Sequence, residues 1–196
     1  HKTLKLQGFE IDKARKEFQS ISNMTSIDIK NRKEAILKYH LTNNHFYSSL
    51  VSDKTVSWEN LPILTKRNLQ QPLQERLSTG YTTKNIFKGK TSGSSGHPLT
   101  YGKDKYAHAM TWAVFYEAYK QHGINLNSSL QARFYGIPLR GKGRYLELVK
   151  DFVSYRKRFP IFNMNDAVLE SFVYRFSKDK FEYINGYTSS IVLLAR

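Results

Sequence analysis

The residue types best suited to chemistry in this sequence lie in one short stretch, from Thr91 to Pro98. Its first six positions combine four hydroxyl side chains with two glycines, and they are Thr91, Ser92, Gly93, Ser94, Ser95 and Gly96. Glycine lets the backbone approach a ligand closely and turn its amide hydrogens inward, and hydroxyls add further donors, so the pattern suits the binding of phosphate oxygens. Lys88, Lys90 and Lys103 bring positive charge close by along the chain. A flexible surface linker has a similar composition and is the alternative at this point.

Three better-known motifs fail in this sequence at a single position each. A Walker A loop ending at Gly89-Lys90-Thr91 requires a glycine where Lys84 stands. A dinucleotide fingerprint starting at Gly141 has Leu146 in place of its third glycine. The nucleophile elbow of hydrolases requires a glycine at His97. We therefore expect neither a P-loop nor a hydrolase serine, and we expect His97 to face solvent.

Metal and thiol chemistry have no support in the sequence. The chain has no cysteine, which excludes a disulfide framework, a thiolate metal site and a cysteine nucleophile. Five histidines are potential metal ligands by residue type, but none shows an HExxH motif or a paired spacing: His40, His45, His97, His108 and His122. No metal-ligating residue is therefore predicted.

Charge is the strongest signal in the composition. The 196 residues include 31 Lys and Arg against 16 Asp and Glu, a formal net charge of +15 with a pI near 9.9. Such a field attracts polyanions in general, including nucleic acid, anionic membrane surfaces, nucleotide phosphates and acidic saccharides. No apolar run approaches the roughly 20 residues needed to span a bilayer, and no signal peptide is evident. We therefore expect a soluble, cytoplasmic protein.

Before the loop, the sequence predicts helices. Asp28 is a candidate cap for a helix that runs to about Tyr47. Thr65, followed by Asn68 three residues later, suits the start of a second helix, which Pro72 would stop.

Beyond the loop, helix and strand patterns alternate. A returning strand of a hairpin is expected in LTYG, followed by a helix capped by Asp104 and ended by Gly123. Residues 130–135 read as a buried strand, and residues 145–153 as a helix flanked by basic residues at 156–158. Another helix is expected from Asn165 or Asp166, then a short strand in FEYING and a helix from Thr188. The alternation predicts an α/β layer arrangement.

The loop sequence TSGSSGHP resembles the Thr-Ser-Gly-Ser/Thr-Thr/Ser-Gly-x-Pro signature of adenylate-forming enzymes, the acyl-CoA synthetase and ligase superfamily. Three further stretches are similar to its phenylacetate-CoA ligase branch, and particularly to the capsular polysaccharide biosynthesis proteins of the CapK type: NNHFYSSLV (43–51), LPILTKRNL (61–69) and INGYTSSIVLLA (184–195). Their order and separation also match, so the resemblance spans most of the chain and is weakest between residues 121 and 162. One departure is Leu99, where many members of the superfamily have lysine.

The resemblance implies the N-terminal part of the large α/β domain of an adenylate-forming enzyme, with layered helices on a partial sheet. We expect a helical arm over residues 1–60 and an incomplete nucleotide-binding domain over residues 61–196, with its phosphate loop at 91–98. The implied reaction activates a small carboxylate with ATP to an acyl-adenylate and transfers the acyl group to a thiol or another acceptor, for which coenzyme A is one candidate. Residues 91–96 would hold the β- and γ-phosphates, with Mg²⁺ shared among phosphate oxygens, so that catalysis depends mainly on positioning and charge neutralisation.

Further residues take roles from the same resemblance. Phe134, Tyr135 and Gly136 stand where the family places part of its acyl pocket, although an ordinary core strand is the alternative. Gly186 is expected to supply an unusual backbone angle in the family's Gly-Tyr turn. The basic residues at 156–158 could bind a phosphate tail or nucleic acid, with a solvated helix end as the alternative.

The other motifs of the superfamily do not occur before Arg196. They are an aromatic-Gly-x-Thr-Glu loop, an Asp for the ribose and a lysine of a mobile C-terminal domain. We therefore expect a fragment that forms no acyl-adenylate by itself, and no catalytic residue is assigned. Two alternatives stay open: a non-catalytic basic module that binds nucleic acid or another polyanion, and an interaction protein that kept the fold without the chemistry.

Overall fold

The computed structural model describes residues 2–21, 23–93, 96–136, 142–162 and 164–195. These residues form α-helices and short β-strands, which confirms the mixed α/β class. Residues 9–113 pack into one compact unit, and the described residues of 1–8 and 114–196 pack into another. The division into an arm (1–60) and a domain (61–196) stays a prediction.

The unit of residues 9–113 is mainly helical. Its elements are α2 (Ile11–Ile21), α3 (Ser26–Asn43), α4 (His45–Leu50), three 3-10 turns (Trp58–Asn60, Asn68–Gln70 and Leu73–Arg76), the strands β1 (Phe87–Lys90) and β2 (Thr100–Lys103), and the first half of α5 (Lys105–Gln121). Its buried apolar residues are Ile11, Ala14, Leu37, Phe46, Val51, Ala109 and Ala113.

The predicted helix from Asp28 to Tyr47 is wrong at both ends. Thr25 is the N-cap of α3, and Asp28 is the third helical residue, whose carboxylate accepts the Thr25 N–H at 2.9 Å in a capping box. The helix ends at Asn43, because Asn44 leaves the helical conformation and caps α4, accepting the Tyr47 N–H at 2.8 Å. A buried asparagine therefore divides the predicted helix in two.

The helix predicted from Thr65 does not form. Its start is present, because the Thr65 N–H donates to the Asn68 side-chain oxygen at 2.9 Å. Only a 3-10 turn follows, since Pro72 restricts Gln71, which adopts ψ 152° and ends the turn. The segment that Thr65 begins therefore ends after a single 3-10 turn, Asn68–Gln70.

The hairpin and the helix after it are confirmed. Strands β1 and β2 pair antiparallel, with Lys90 opposite Thr100 and Phe87 opposite Lys103. The Asp104 carboxylate accepts the Ala107 N–H at 2.6 Å and so caps α5, which follows β2 directly. Gly123, at φ +72°, follows the end of α5.

The second unit contains a parallel three-stranded sheet. Its elements are α1 (Lys2–Leu6), the second half of α5, β3 (Gln131–Phe134), α6 (Lys142–Val153), β4 (Arg156–Phe159), α7 (Asp166–Lys178), β5 (Tyr183–Gly186) and α8 (Thr188–Ala195). The strand order is β4-β3-β5, with both neighbours parallel to β3. The predicted strands β3 and β5 and the predicted helices α6, α7 and α8 are thereby confirmed.

Stacked aromatic rings form the core of this unit. Phe134 and Phe159 on adjacent strands are fully buried, with ring centroids 4.7 Å apart and planes 9° from parallel. Phe172 of α7 meets Phe159 edge-on at 4.9 Å. Aromatic pairs in these geometries add to the stability gained by burying their apolar area.

The sequence suggested that the basic stretch 156–158 is the end of a helix. In the structure it belongs to the strand β4. Tyr155, at φ +48°, turns the chain sharply between α6 and β4, so that Arg156–Phe159 pairs with β3. Arg158 donates to Asp151 at 2.9 Å and to Glu147 at 2.8 Å, and Arg156 also pairs with Asp151. The acidic residues of α6 therefore neutralise most of this charge.

The apolar stripe of α6 is largely exposed, with Val149 at 61% and Phe152 at 86% of full accessibility. The periodicity predicted the helix correctly, but the described residues do not cover its apolar face. Among all described helices, none combines the length and the apolar character that crossing a bilayer requires.

Candidate functional site

The loop of residues 91–99 is closed at its base by two hydrogen bonds. The Thr91 N–H donates to the Leu99 carbonyl oxygen at 2.9 Å, which continues the β1–β2 ladder by one step. The Leu99 N–H donates in turn to the Thr91 side-chain oxygen at 2.9 Å. The first hydroxyl of the motif therefore fixes the point at which the chain leaves and re-enters the hairpin.

Glycine is required within the loop by both backbone angle and space. Gly93 has φ +69° and Gly96 has φ +85°, values that residues with a side chain rarely adopt. A Cβ atom on Gly93 would lie 2.7 Å from the backbone nitrogen of Pro98, whereas one on Gly96 would meet nothing within 4 Å. The Gly96 N–H donates to the Gly93 carbonyl oxygen at 2.8 Å. Pro98 therefore packs where a side chain at position 93 would stand.

Four of the six predicted phosphate-binding residues can be placed, because Ser94 and Ser95 lie outside the described residues. Thr91, Ser92 and Gly96 are exposed, and Gly93 is half-buried. His97 is exposed too, as expected. The exposed hydroxyls of Thr91 and Ser92 can therefore reach a ligand from solvent, whereas the Thr91 and Gly96 amides donate within the loop.

The three lysines near the loop differ in their surroundings. Lys88 and Lys90 are exposed, and strand alternation places them on the same face of the hairpin. Neither forms an ion pair within the described ranges. Lys103 is half-buried and donates to the Thr111 hydroxyl of α5 at 2.9 Å. The free positive charge beside the loop therefore comes from β1, whereas Lys103 is tied to the helix.

The second predicted group, Phe134, Tyr135 and Gly136, lies in the other compact unit, at the carboxyl end of β3. Phe134 is part of the aromatic core and is fully buried. Gly136 lies against Phe162, whose ring would be 3.0 Å from a Cβ atom at that position. Tyr135 is half-buried and its hydroxyl donates to the Asn185 side-chain oxygen at 2.9 Å. Of the three, Tyr135 alone carries a polar side-chain group, and that group is bonded to Asn185.

Tyr135 belongs to a polar network at this edge of the sheet. Asn185 of β5 accepts from Tyr135 and donates to the Tyr119 hydroxyl at 2.9 Å. The Arg133 guanidinium lies over the Tyr135 ring, 4.5 Å from its centroid. Tyr187 is also adjacent, with its ring centroid 5.3 Å from that of Tyr135. Carboxyl ends of parallel strands are common ligand sites in α/β proteins, and this network lies at such an edge.

Burial shifts the pKa of two groups around this network. It lowers the pKa of Arg133, and the nearby Arg156 lowers it further. The Arg133 Nε atom is buried and has no hydrogen-bond partner among the residues that the structure describes. Burial also raises the pKa of Tyr183 to about 12, so that its phenol stays neutral at physiological pH.

Sequence reasoning missed Arg133, Tyr119 and Asn185 as members of this cluster. Asn185 had a usable signal, because it is a polar residue next to the carboxyl end of a predicted strand. Gly186 was predicted for the wrong reason. It lies within β5 without a positive φ, and its role is close packing, since a Cβ atom would be 2.3 Å from the Phe134 carbonyl oxygen.

Comparison with known proteins gives no relative of this chain. No family model matches the sequence, and no curated protein or solved structure matches it significantly.

Proposed function

We propose that the loop of residues 91–98 binds nucleotide phosphates, and that the chain is part of an ATP-dependent, acyl-adenylate-forming ligase of the phenylacetate-CoA ligase and CapK type. A role in capsular polysaccharide biosynthesis is proposed with it, on the family resemblance alone. The observation that supports the proposal most is the closed, glycine-shaped loop at the end of the β1–β2 hairpin. Its base is fixed by Thr91 and Leu99, and Gly93 and Gly96 both have positive φ.

The chemistry of the loop follows from its donors. A hydroxyl can accept one hydrogen bond while it donates another, so Thr91 can hold Leu99 and still donate to a phosphate oxygen. Ser92 adds an exposed hydroxyl, and Lys88 and Lys90 add ammonium groups that form no ion pair with any described residue. In the proposed reaction these groups orient the β- and γ-phosphates and offset their charge. Bound Mg²⁺ would supply additional neutralisation of the phosphate oxygens.

The alternative of a nucleic-acid-binding module has less support. A phosphate backbone is bound by accessible Lys and Arg side chains. The densest basic stretch, residues 156–158, is instead neutralised within its own unit, because Arg156 and Arg158 pair with Asp151 and Lys157 pairs with Asp179. These side chains would have to exchange internal ion pairs for contacts with phosphate.

Amide NMR spectroscopy on ¹⁵N-labelled protein tests the proposal. Titration with MgATP is expected to shift the Ser92, Gly93 and Gly96 amide resonances in a saturable manner, and inorganic triphosphate is expected to compete. A matched titration with single-stranded DNA serves as the control for general polyanion binding. Saturable DNA binding with unperturbed loop resonances under MgATP would favour the basic module.

A further inference from the structure

Two adjacent cavities lie within the unit of residues 9–113, away from the loop's own residues. One has a volume of about 570 Å³ and the other about 420 Å³. Ile36, His40, Asn44 and Arg76 line both of them. A single small molecule could therefore extend from one cavity into the other past this common wall.

The larger cavity is lined by two cations, Arg76 and Lys103, for which the described residues provide no ion-pair partner. Arg76 donates from Nε to the Gln71 carbonyl at 2.8 Å and from Nη2 to the Thr100 carbonyl at 2.5 Å. Its Nη1 has no hydrogen-bond partner, and neither Arg76 nor Lys103 forms an ion pair within the described part of the chain. Burial lowers the pKa of Arg76. A half-buried guanidinium without a counter-ion favours the binding of an anion.

The guanidinium of Arg76 is held by its surroundings before any ligand binds. The buried Asn44 donates to the Arg76 carbonyl oxygen at 3.1 Å and to the Ser78 hydroxyl at 3.1 Å. These bonds fix the backbone at position 76, and the two carbonyl contacts fix the side chain. An ordered donor group costs less entropy on binding than a mobile one.

The other polar groups of this cavity include one carboxylate, that of Asp104, whose negative charge offsets part of the charge of Arg76 and Lys103. The Asp104 carboxylate is engaged as the α5 cap and accepts from the Tyr81 hydroxyl at 3.5 Å. Burial lowers the pKa of His40, which is therefore neutral at pH 7. Neither nitrogen of His40 has a hydrogen-bond partner among the described residues, so its ring N–H is a further available donor.

The smaller cavity has a different chemistry. Besides the common wall, its lining is apolar or aromatic and includes Phe46, Tyr47, Trp58, Leu64 and Leu69. Such a lining favours the binding of an alkyl or aryl group over that of a polar group. The two cavities together therefore match a molecule with one charged end and one apolar end.

We propose that this pair of cavities is a binding site for an amphiphilic organic anion, with its carboxylate against Arg76 and Lys103 and its apolar body between Phe46, Trp58 and Leu64. The site goes beyond the proposed nucleotide function, because it uses no residue of the loop 91–98. Binding at one place can therefore be lost without loss of binding at the other.

Octanoate is a suitable probe, and Trp58 reports on its apolar end. The chain has two tryptophans, so the Trp112→Phe background leaves Trp58 as the only tryptophan, whose emission is separated from that of tyrosine by selective excitation. Octanoate below its micelle-forming concentration is expected to shift Trp58 emission to the blue and to saturate. n-Octanol, which lacks the charge, is expected to bind at least about tenfold more weakly, because it forms no charge-assisted bond with Arg76.

Variants made in the Trp112→Phe background separate this site from general surface binding. Arg76→Gln is expected to weaken octanoate binding by about tenfold or more. Arg67→Gln makes the same charge change at an exposed position that lines neither cavity, and it is expected to bind as the background does. Ile36→Trp places bulk at the common wall, where Ile36 is partly exposed and the fold can tolerate it. Its added indole would contribute to the emission, so its binding is measured by calorimetry, and weaker binding is expected.

The outcomes are distinct. The proposal is supported when Arg76→Gln and Ile36→Trp both lose octanoate and keep the circular dichroism spectrum of the parent. It is overturned when octanoate and n-octanol bind equally well, when folded Ile36→Trp binds as the parent does, or when no saturable binding is seen. Should Arg76→Gln fail to fold, Ile36→Trp and the octanol comparison decide alone.

Discussion

Thr91 and Leu99 are joined by two hydrogen bonds of 2.9 Å across the base of the loop, and one of them uses the Thr91 hydroxyl as acceptor. The hydroxyl that the sequence pattern marks for phosphate binding therefore also has a structural task. A threonine oxygen can perform both, because its own hydrogen remains available to a ligand. The conformation of the loop and its proposed affinity for phosphate are thus expected to depend on the same atom.

Replacement of Thr91 by valine tests this double role. Thr91→Val keeps the shape but removes both the acceptor for Leu99 and the donor for phosphate, so MgATP affinity is expected to fall by about tenfold or more. Thr91→Ser keeps the hydroxyl and is expected to retain most of the affinity. Equilibrium dialysis with labelled ATP measures both variants. Equal affinity of Thr91→Val and the parent would contradict the role given to this hydroxyl.

The carboxylate of Glu17 is expected to make the thermal stability of the unit of residues 9–113 depend on pH. Hydrogen bonds from Tyr106 and from Arg32, the latter at 2.6 Å, lower the pKa of Glu17 below its ordinary value of 4.5. A depressed folded-state pKa contributes stability that is present above about pH 4.5 and is lost as the pH falls through the folded-state value. The parent is therefore expected to exceed Glu17→Gln in Tm at pH 7, and the difference is expected to shrink toward pH 3.

Thermal unfolding between pH 7 and pH 3 measures this difference. Glu10→Gln is the matched control, because among the described residues the Glu10 carboxylate pairs only with the exposed Lys13, at 3.8 Å. Its Tm is expected to follow that of the parent at each pH. A constant gap between the parent and Glu17→Gln over the whole range would show that the Glu17 carboxylate contributes no pH-dependent stability.

Replacement of Gly186 by alanine tests the close packing of β5 against β3. In Gly186→Ala the new methyl group would lie 2.3 Å from the Phe134 carbonyl oxygen, and backbone atoms cannot yield as a flexible side chain does. We expect a loss of about 3 kcal/mol in the free energy of unfolding, at the upper end of overpacking effects. Ile184→Ala, in the same strand and at a partly exposed position, is expected to cost less than this. Urea denaturation compares the two, and equal losses would contradict the packing argument.

The elements that sequence patterns predicted correctly are those with strong local signals. The α5 helix has a cap at Asp104 and small buried residues at Ala109 and Ala113, and the hairpin is marked by the glycine-rich loop that it encloses. In these elements the local sequence preference agrees with the final packing, so each element could be predicted from its own segment alone.

The elements that were missed depend on contacts distant in sequence. Strand β4 reads as the basic end of a helix, and it becomes a strand only because Phe159 packs on Phe134 and the acidic residues of α6 pair with Arg158. The turn before it is made by Tyr155 at a positive φ, without the glycine that would have signalled a break. Asn44 likewise reads as an ordinary helix residue until its contacts with Arg76 and Ser78 are known.

The candidate site was predictable only in part for the same reason. The loop is contiguous, so its glycines and hydroxyls could be recognised as one motif. The network of Tyr119, Tyr135 and Asn185 joins three separate elements, and its hydrogen bonds depend on the strand order of the sheet. The cavity cations Arg76 and Lys103 come from different segments and share no pattern.

Calorimetric titration of MgATP into the parent, Gly93→Ala and Gly80→Ala tests the central claim most directly. Both glycines have positive φ, at +69° and +86°, so both variants introduce similar backbone strain, but only Gly93→Ala also collides with Pro98. We predict saturable MgATP binding by the parent and by Gly80→Ala, and a loss of about tenfold or more in Gly93→Ala, because displacement of Pro98 disturbs the backbone on either side of the proposed phosphate site. Equal MgATP affinity in all three proteins, or no binding by the parent, would contradict the assignment of this loop to nucleotide phosphates.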